Sequence, residues 1–409
     1  MDSYRIKEGH MTNEWSNWSG SLRFTPATVA VPENEEELSQ IVRRAGAEDR
    51  NVRVWGAGHS STPLVKTPDI LVSMERMKGV VSREGNTVTI RSGMMLKEAN
   101  EVFLKLGLAL ENLGDVDLQS LAGAIGTGTH GTGKNLRIIS NHLVGGRIIN
   151  GKGEIVDFSM ESDPEFTLAA RVAMGSLGIF TRLRLQLLPS YQLHRKEWCT
   201  HIEDCMVNLD NLISSNRNFD FYWYPRSDEA KLRTLNLSEE ETPDIPFAWC
   251  QKEKFGWSGD VIPRERDNKF DEIEYWLPFE NGPSCFEEVR QRIKHSHRKN
   301  VGWRVLYRTV AADEAFLSGA HGRDSVTVSM HQNASLPHEE FFKDMEPILL
   351  KHGGRPHWGK KHYLAASELK SLYPNWNRFQ EIRRSMDPDG IFMNPYLQTI
   401  FEGKKEDGR

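Results

Sequence analysis

This chain is poor in cysteine: Cys199, Cys205, Cys250 and Cys285 are the four it has in 409 residues, and none are paired as CxxC. That argues against a disulfide scaffold or a thiolate zinc site and fits a reducing compartment. No run of about 18 apolar residues occurs, so no membrane span is expected. The opening residues, MDSYRIKEGHMTNEWSNWSG, contain no apolar core, which predicts no secretory signal and a cytoplasmic protein. The Asn-x-Ser matches at Asn17, Asn236 and Asn333 then read as chance, because that acceptor needs a secretory route. There is no basic excess: Lys+Arg number 52 against 57 Asp+Glu, a net charge of -5, so nothing advertises nucleic acid. Internal repeats are absent too. What is present is ordinary for a globular chain, with 38% hydrophobic and 27% charged residues, 33 Gly and 18 Pro. At roughly 150 residues per domain, the length predicts two or three lobes.

Residues 22 to about 189 read as short strands alternating with helices. Asn34 is placed to cap a helix over ENEEELSQIVRRAG, with Glu37 at its third position. Val52 to Trp55 is a strand running into the turn GAGHSS. VVSREGNTVTIRSG and LVGGRIINGKGEIVDFS read as hairpins, MLKEANEVFLKLG as an amphipathic helix stopped by Gly107, and DPEFTLAARVAMG as a helix with Pro164 near its start. Beyond 190 aromatics cluster in FDFYWYP, and residues 236 to 265 resemble a long surface loop. Ser284 and Glu287 form a capping box opening a helix, and the strands GWRVLYRTV and SVTVSMHQ follow. The helix PHEEFFKDMEPILLKH, the segment GGRPHWGKKH, two short helices and FMNPY complete the chain, with KKEDGR expected to be a disordered tail.

The strongest local signal is SLAGAIGTGTHGTG, residues 120–133, whose glycines leave backbone amides bare for close approach to a pyrophosphate. The bland alternative is a ligand-free turn. Gly126-x-Gly128-x-x-Gly131 satisfies the dinucleotide fingerprint as a pattern, but that fingerprint must open a helix after a strand, and irregular chain and strand follow here. Gly128 to Lys134 spells GxxxxGK, yet Asn135 stands where a hydroxyl would hold magnesium. Both readings fail on context.

RVWGAGHSS at 53–61, SLAGAIGTGTHGTG and GSLGIFTRLRL at 175–185, in that order, closely resemble the vanillyl-alcohol oxidase superfamily of FAD enzymes. RTVAADEAFLSGAHGRDSV, GGRPHWGKKH and DPDGIFMNPY extend the resemblance to its aldonolactone (gulonolactone and arabinonolactone) and alditol oxidase branch. It covers roughly residues 20 to 400. The resemblance implies an α+β fold: a two-lobe FAD-binding domain of the vanillyl-alcohol oxidase / para-cresol methylhydroxylase type with an α+β substrate cap domain. The expected division is 20–189 for FAD binding, 190–350 for the cap, and 351–404 for a C-terminal return completing the active site.

Site residues follow from the same resemblance. His59 matches the histidine that bonds covalently to the flavin in some members. A neutral imidazole suits that role as a nucleophile; the structural alternative is a turn histidine bonded to backbone. Gly56, Ala57, Gly58, Ser60 and Ser61 would cradle the pyrophosphate, and Gly128, Gly131, Thr132 and Gly133 would line the flavin and its diphosphate. Ile179 falls at a flavin-nucleotide contact, His357 matches a flavin-contacting histidine, and Asn394 belongs to the FMNPY that closes the cofactor lobe. Lys360 and Arg308 match positions that contact the substrate oxygen, and Ser120 matches a substrate-contacting serine. His130, between glycines, has the steric surroundings of a cofactor contact.

One departure stands out. Relatives carry Glu-x-Arg where this chain has Leu306-Tyr307-Arg308, so a carboxylate is missing. Residues 304, 306 and 308 of a strand share a face. His331, on the next strand, is a candidate replacement for the base, and the tyrosines of FDFYWYP for added hydroxyls. No metal is expected, since His295, His297, His352, His357 and His362 form neither a Cys/His pairing nor HExxH. The implied activity is oxidation of a hydroxyl in a sugar-derived aldonolactone or polyol, with hydride passing to flavin N5 and dioxygen yielding hydrogen peroxide. The alternatives are a dehydrogenase using a quinone or cytochrome, and a non-catalytic flavin- or sugar-binding protein.

Overall fold

The computed structural model describes residues 14–240, 242–263, 268–301 and 303–404. Three sheets position the site. A parallel one has the order Thr28–Ala30, Ile70–Ser73, Val52–Trp55. An antiparallel five-stranded sheet has the order Ile155–Ser159, Leu143–Ile149, Ile179–Gln186, Thr87–Arg91, Val80–Glu84. The third has eight strands in the order Trp249–Trp257, Gln192–His201, Glu229–Leu237, Asn218–Tyr224, Val305–Val310, Ser325–Asn333, Phe270–Pro278, Arg355–Pro356. Both expected hairpins are in the second sheet. The fold is α+β, as the resemblance implied.

Local signals placed several elements well. The helix Glu35–Ala47 starts where Glu37 N–H donates to Asn34 Oδ1 at 3.0 Å, a cap worth about 1 kcal/mol. Its apolar stripe, Leu38, Val42 and Ala45, packs with Val52, Ile70 and Val72 of the parallel sheet and with Ile391 and Phe392 from the far end of the chain. The tail is fastened there: Val52 N–H donates to Ile391 O at 2.8 Å, and Asp387 accepts the amides of Ile391 and Phe392.

Four expectations are corrected. Residues 249–257 form an edge strand inside the expected surface loop; being solvated on both faces, it carries polar residues without an apolar alternation. The helix Gly282–Arg292 begins before Ser284, whose hydroxyl donates to Asn281 O at 3.0 Å; Pro283 suits its first turn because no N–H is needed there. Leu121–Thr127, inside the glycine-rich stretch, is a helix ending at Gly128 (φ +72°), so the dinucleotide-like pattern sits at a helix end. FMNPY opens a further helix, Pro395–Glu402, capped by Asn394. The proposed tail lies, beyond Lys404, outside the described residues. No helix among the described residues is long and apolar enough to cross a membrane.

Candidate active site

The strand Val52–Trp55 delivers the turn 56–62 into a cavity of about 330 Å³. Gly56, Ala57, Gly58, His59 and Ser60 form one wall, Ser120, Gly123 and Gly126 another, and Gly175, Gly178 and Ile179 a third. Two of these glycines are sterically required. A Cβ on Gly56 would lie 1.8 Å from Ser120 Oγ, and one on Gly178 (φ +138°) would lie 2.3 Å from Ile149 O. The cavity is therefore bounded by bare backbone from three separated segments, which fits a dinucleotide pressed against main chain.

Arg53, on the strand that leads into the first of those segments, ties it to the third and to the far end of the chain, and was not singled out from the sequence. Its guanidinium, 1% exposed, donates to Leu64 O at 2.7 Å, Met174 O at 2.8 Å, Gly175 O at 3.1 Å and also Phe392 O. Burial pulls it down to about 10, against the opposing attraction of Asp387, and it stays cationic at neutral pH. Arg53 lines this cavity with Glu75 and with Lys78, whose ammonium pairs with Glu98 at 2.7 Å. The available signal was a lone arginine in an apolar strand.

A smaller cavity adjoins the first, sharing His59, Ser60, Gln119 and Thr127 with it. One face of the eight-stranded sheet forms its floor. Register places Leu306, Ser329 and Glu274 in one row, Arg308, Thr327 and Trp276 in the next, and His331 opposite Glu272. Lys360 enters from the loop after Arg355–Pro356, with Nζ 2.5 Å from Glu272 Oε2. His331 Nε2 lies 3.3 Å from Glu272 Oε1, and Arg308 Nη1 donates to His130 O at 3.2 Å. Lys360, Arg308 and His331 thus converge, and Leu306 is the apolar residue of that face.

His130, Glu274 and His357 also meet, their ligand atoms lying within 4.8 Å of one another. Helical or strand spacing gave no sign of this grouping. His130 turns Nδ1 to Gly131 O at 2.8 Å and Nε2 to Glu274 Oε1 at 3.1 Å. Both partners are acceptors, so each ring nitrogen that carries a proton has one to donate to. His357 Nδ1 accepts Gly359 N–H at 3.1 Å. In this arrangement His130 and Glu274 are hydrogen-bonded to each other beside a neutral His357.

Charge states follow from surroundings. Burial, then Lys360, lowers His59 to about 4, and burial lowers His357 to about 3, so both are neutral at pH 7. Burial would raise Glu274, but His130 and Arg308 hold it well below the usual carboxylate range. Glu272 is likewise lowered by Lys360 and His331 against its burial. Burial works against the Arg308 cation, yet Glu274 raises it.

Other expected site residues lie elsewhere. Ser120 lines the larger cavity, away from Lys360, and its Oγ caps the helix by accepting Gly123 N–H at 3.2 Å. Gly128, Gly131, Thr132 and Gly133 lie off that cavity. Thr132 Oγ1 accepts Thr309 N–H at 3.2 Å and Gly133 N–H donates to Thr309 O at 2.8 Å, joining this segment to the large sheet. Ser61 N–H donates to Gly359 O at 2.8 Å, tying the turn to the HWGK loop. Asn394 caps its helix and donates to Pro63 O and Lys66 O, each at 2.9 Å, so it braces the turn from behind. Glu272 and Glu274 were missed; the signal was the alternation Glu272, Glu274, Trp276 in FDEIEYW.

Comparison with known proteins agrees with this geometry. A family model described as D-arabinono-1,4-lactone oxidase matches residues 183–259 and 251–400, and one described as an FAD binding domain matches residues 26–159. The L-gulono-1,4-lactone dehydrogenase of Mycobacterium tuberculosis is 32% identical over 430 residues, spanning 95% of this chain and 99% of that protein. The L-gulonolactone oxidase of Scyliorhinus torazame is 26% identical over 439 residues, spanning 97% and 100%. Cholesterol oxidase from B. sterolicum shares the fold with a TM-score of 0.86 at 14% identity, over 96% of this chain and 97% of that one. Glucooligosaccharide oxidase from Acremonium strictum, described with a 6-S-cysteinyl, 8α-N1-histidyl FAD, aligns with a TM-score of 0.79 at 14% identity, over 94% of each chain. The chain therefore belongs to the D-arabinono-1,4-lactone oxidase family and is an FAD-dependent oxidoreductase on the vanillyl-alcohol oxidase type of fold.

Proposed function

We propose that this chain, as a cytoplasmic enzyme, oxidises a CH–OH group of a sugar-derived aldonolactone or polyol held in the smaller cavity, with dioxygen as final acceptor and hydrogen peroxide as product. The observation that carries this reading is the convergence of Arg308, Lys360 and His331 on a polar cavity that shares wall residues with the cofactor cavity. Bound FAD supplies the hydride acceptor. Residues 20–189 with the return 351–404 hold it, and 190–350 cap it. Arg308 and Lys360 present positive charge to the substrate oxygen and stabilise the alkoxide that develops as its proton leaves. His331 takes that proton. Arg308 is buried, so its charge acts in a medium of lower dielectric than water. His59, neutral and reaching both cavities, is the residue we assign to a covalent flavin bond.

The test is anaerobic mixing of the yellow protein with L-gulono-1,4-lactone, D-arabinono-1,4-lactone and open-chain polyols. Bleaching by one of them supports the reading, and retained colour with all of them refutes it. A second reading, a dehydrogenase, is favoured by the 32% identity to a protein of that name, against 26% for an oxidase. Peroxide release on re-aeration separates it from an oxidase, which releases peroxide where the dehydrogenase reduces only an added dye.

A further inference from the structure

The catalytic face of the eight-stranded sheet has an apolar residue, Leu306, beside Arg308, while two carboxylates rise from the strand Phe270–Pro278 two positions away. They have different duties. Glu274 is engaged by His130. Glu272 is 2% exposed and lies between two groups of the reaction: Oε2 is 2.5 Å from Lys360 Nζ, and Oε1 is 3.3 Å from His331 Nε2. Oε1 has no hydrogen-bond donor among the described residues. His331 Nδ1 faces Arg304 O at 3.1 Å and must donate to it, because a carbonyl only accepts. In the neutral ring the lone pair is therefore on Nε2, the nitrogen beside Glu272.

We infer that Glu272 is the positioning carboxylate of this site: it anchors the Lys360 ammonium and stabilises the imidazolium that His331 becomes on accepting the substrate's hydroxyl proton. This rests on the function proposed above. In the step, the substrate O–H bond breaks and its proton goes to His331 Nε2. The C–H hydrogen would leave with its electron pair as hydride to bound FAD, while the carbon–oxygen bond becomes a carbonyl. The alcohol is oxidised by two electrons and FAD is reduced by two. The contact between Glu272 and Nε2 is an ion-pair distance without hydrogen-bond geometry, so the carboxylate acts through its field and leaves the proton on His331.

Several other charges bear on His331. Arg304 lies just before the neighbouring strand, its carbonyl facing His331 Nδ1, and Arg308, Lys360 and His130 share its cavity, as do Glu274 and Asp115, with His59 and His357 neutral. With cations on several sides, the nearest carboxylate decides whether an imidazolium is tolerated.

The experiment uses flavin-loaded wild type, Glu272→Gln and Glu272→Asp. Histidine labelling, with the His331 resonance assigned through His331→Asn, gives the His331 titration midpoint by NMR without any substrate. Anaerobic rapid mixing with L-gulono-1,4-lactone gives the flavin reduction rate against pH. In Glu272→Gln the midpoint falls by at least one pH unit, the reduction rate drops about 100-fold, and its rising limb moves to lower pH by a similar amount. Glu272→Asp restores most of the midpoint. An unmoved midpoint overturns the inference, including when Glu272→Gln is merely less stable or loses flavin, since a structural role leaves His331 titrating as before. Failure of the wild type to be reduced, with a midpoint shift present, strikes the proposed substrate and leaves the role of Glu272 standing.

Discussion

Arg53 offers a test of the fold's logic that needs no knowledge of substrate. Its guanidinium ties Leu64, Met174, Gly175 and Phe392 together through four hydrogen bonds to carbonyls. Arg53→Met keeps most of the volume of the stem and removes every donor. At about 0.5–1.5 kcal/mol net per bond, four bonds correspond to roughly 2–6 kcal/mol of stability. The lower half applies if water reaches the freed carbonyls, the upper half if they stay dry. Arg53→Lys retains the charge but cannot span four carbonyls, so it recovers only part. Urea denaturation of the flavin-free protein measures the loss, and titration with FAD measures the cofactor affinity, which falls because the strand entering one wall and the 174–175 backbone of another lose their tie. A loss under about 1 kcal/mol with unchanged FAD affinity would show that Arg53 does not hold these segments together.

Removing the positive charge with Lys360→Ala is expected to raise the barrier to flavin reduction by about 2.7–4 kcal/mol, read as a single-turnover rate; an unchanged rate removes Lys360 from the mechanism. His59→Ala is expected to leave denatured protein without flavin fluorescence, where wild type keeps it on the polypeptide. Gly56→Ala drives a methyl into Ser120 Oγ and is expected to lose bound flavin, with partial recovery in the Gly56→Ala, Ser120→Gly double variant, checked by absorbance after desalting. For His357, the folded value of about 3 lies below the ordinary 6.5. Its stabilisation is thus complete above pH 6.5 and is lost as pH falls towards 3, by about 1.4 kcal/mol per pH unit. His357→Gln should flatten that acid limb in denaturation curves taken at several pH values.

Residues that announce themselves through their neighbours were legible. The turn GAGHSS, the glycine-rich stretch, HWGK and FMNPY are contiguous, and their small side chains or caps act over a few positions, so His59, Lys360 and the cap at Asn34 needed no fold to be noticed. Arg308 was noticed through the match of VLYRTV to the family motif. The misreadings came from elements whose character is set by a distant partner. Trp249–Trp257 is a strand because Gln192–His201 lies beside it. THGTG belongs with Thr309 because the large sheet reaches across to it.

Motifs along the chain carried the resemblance from which the family, the cofactor class and the cations of the site were read, because such motifs are written over short spans. Where the site's negative charge sits was decided by tertiary structure alone. Glu272 meets Lys360, 88 residues away, and Glu274 meets His130, 144 residues away, because the strand order brings those segments to one face. Cross-strand register is a property of the assembled sheet, and a carboxylate's partner, and with it the proton's path, exists only once that sheet has closed.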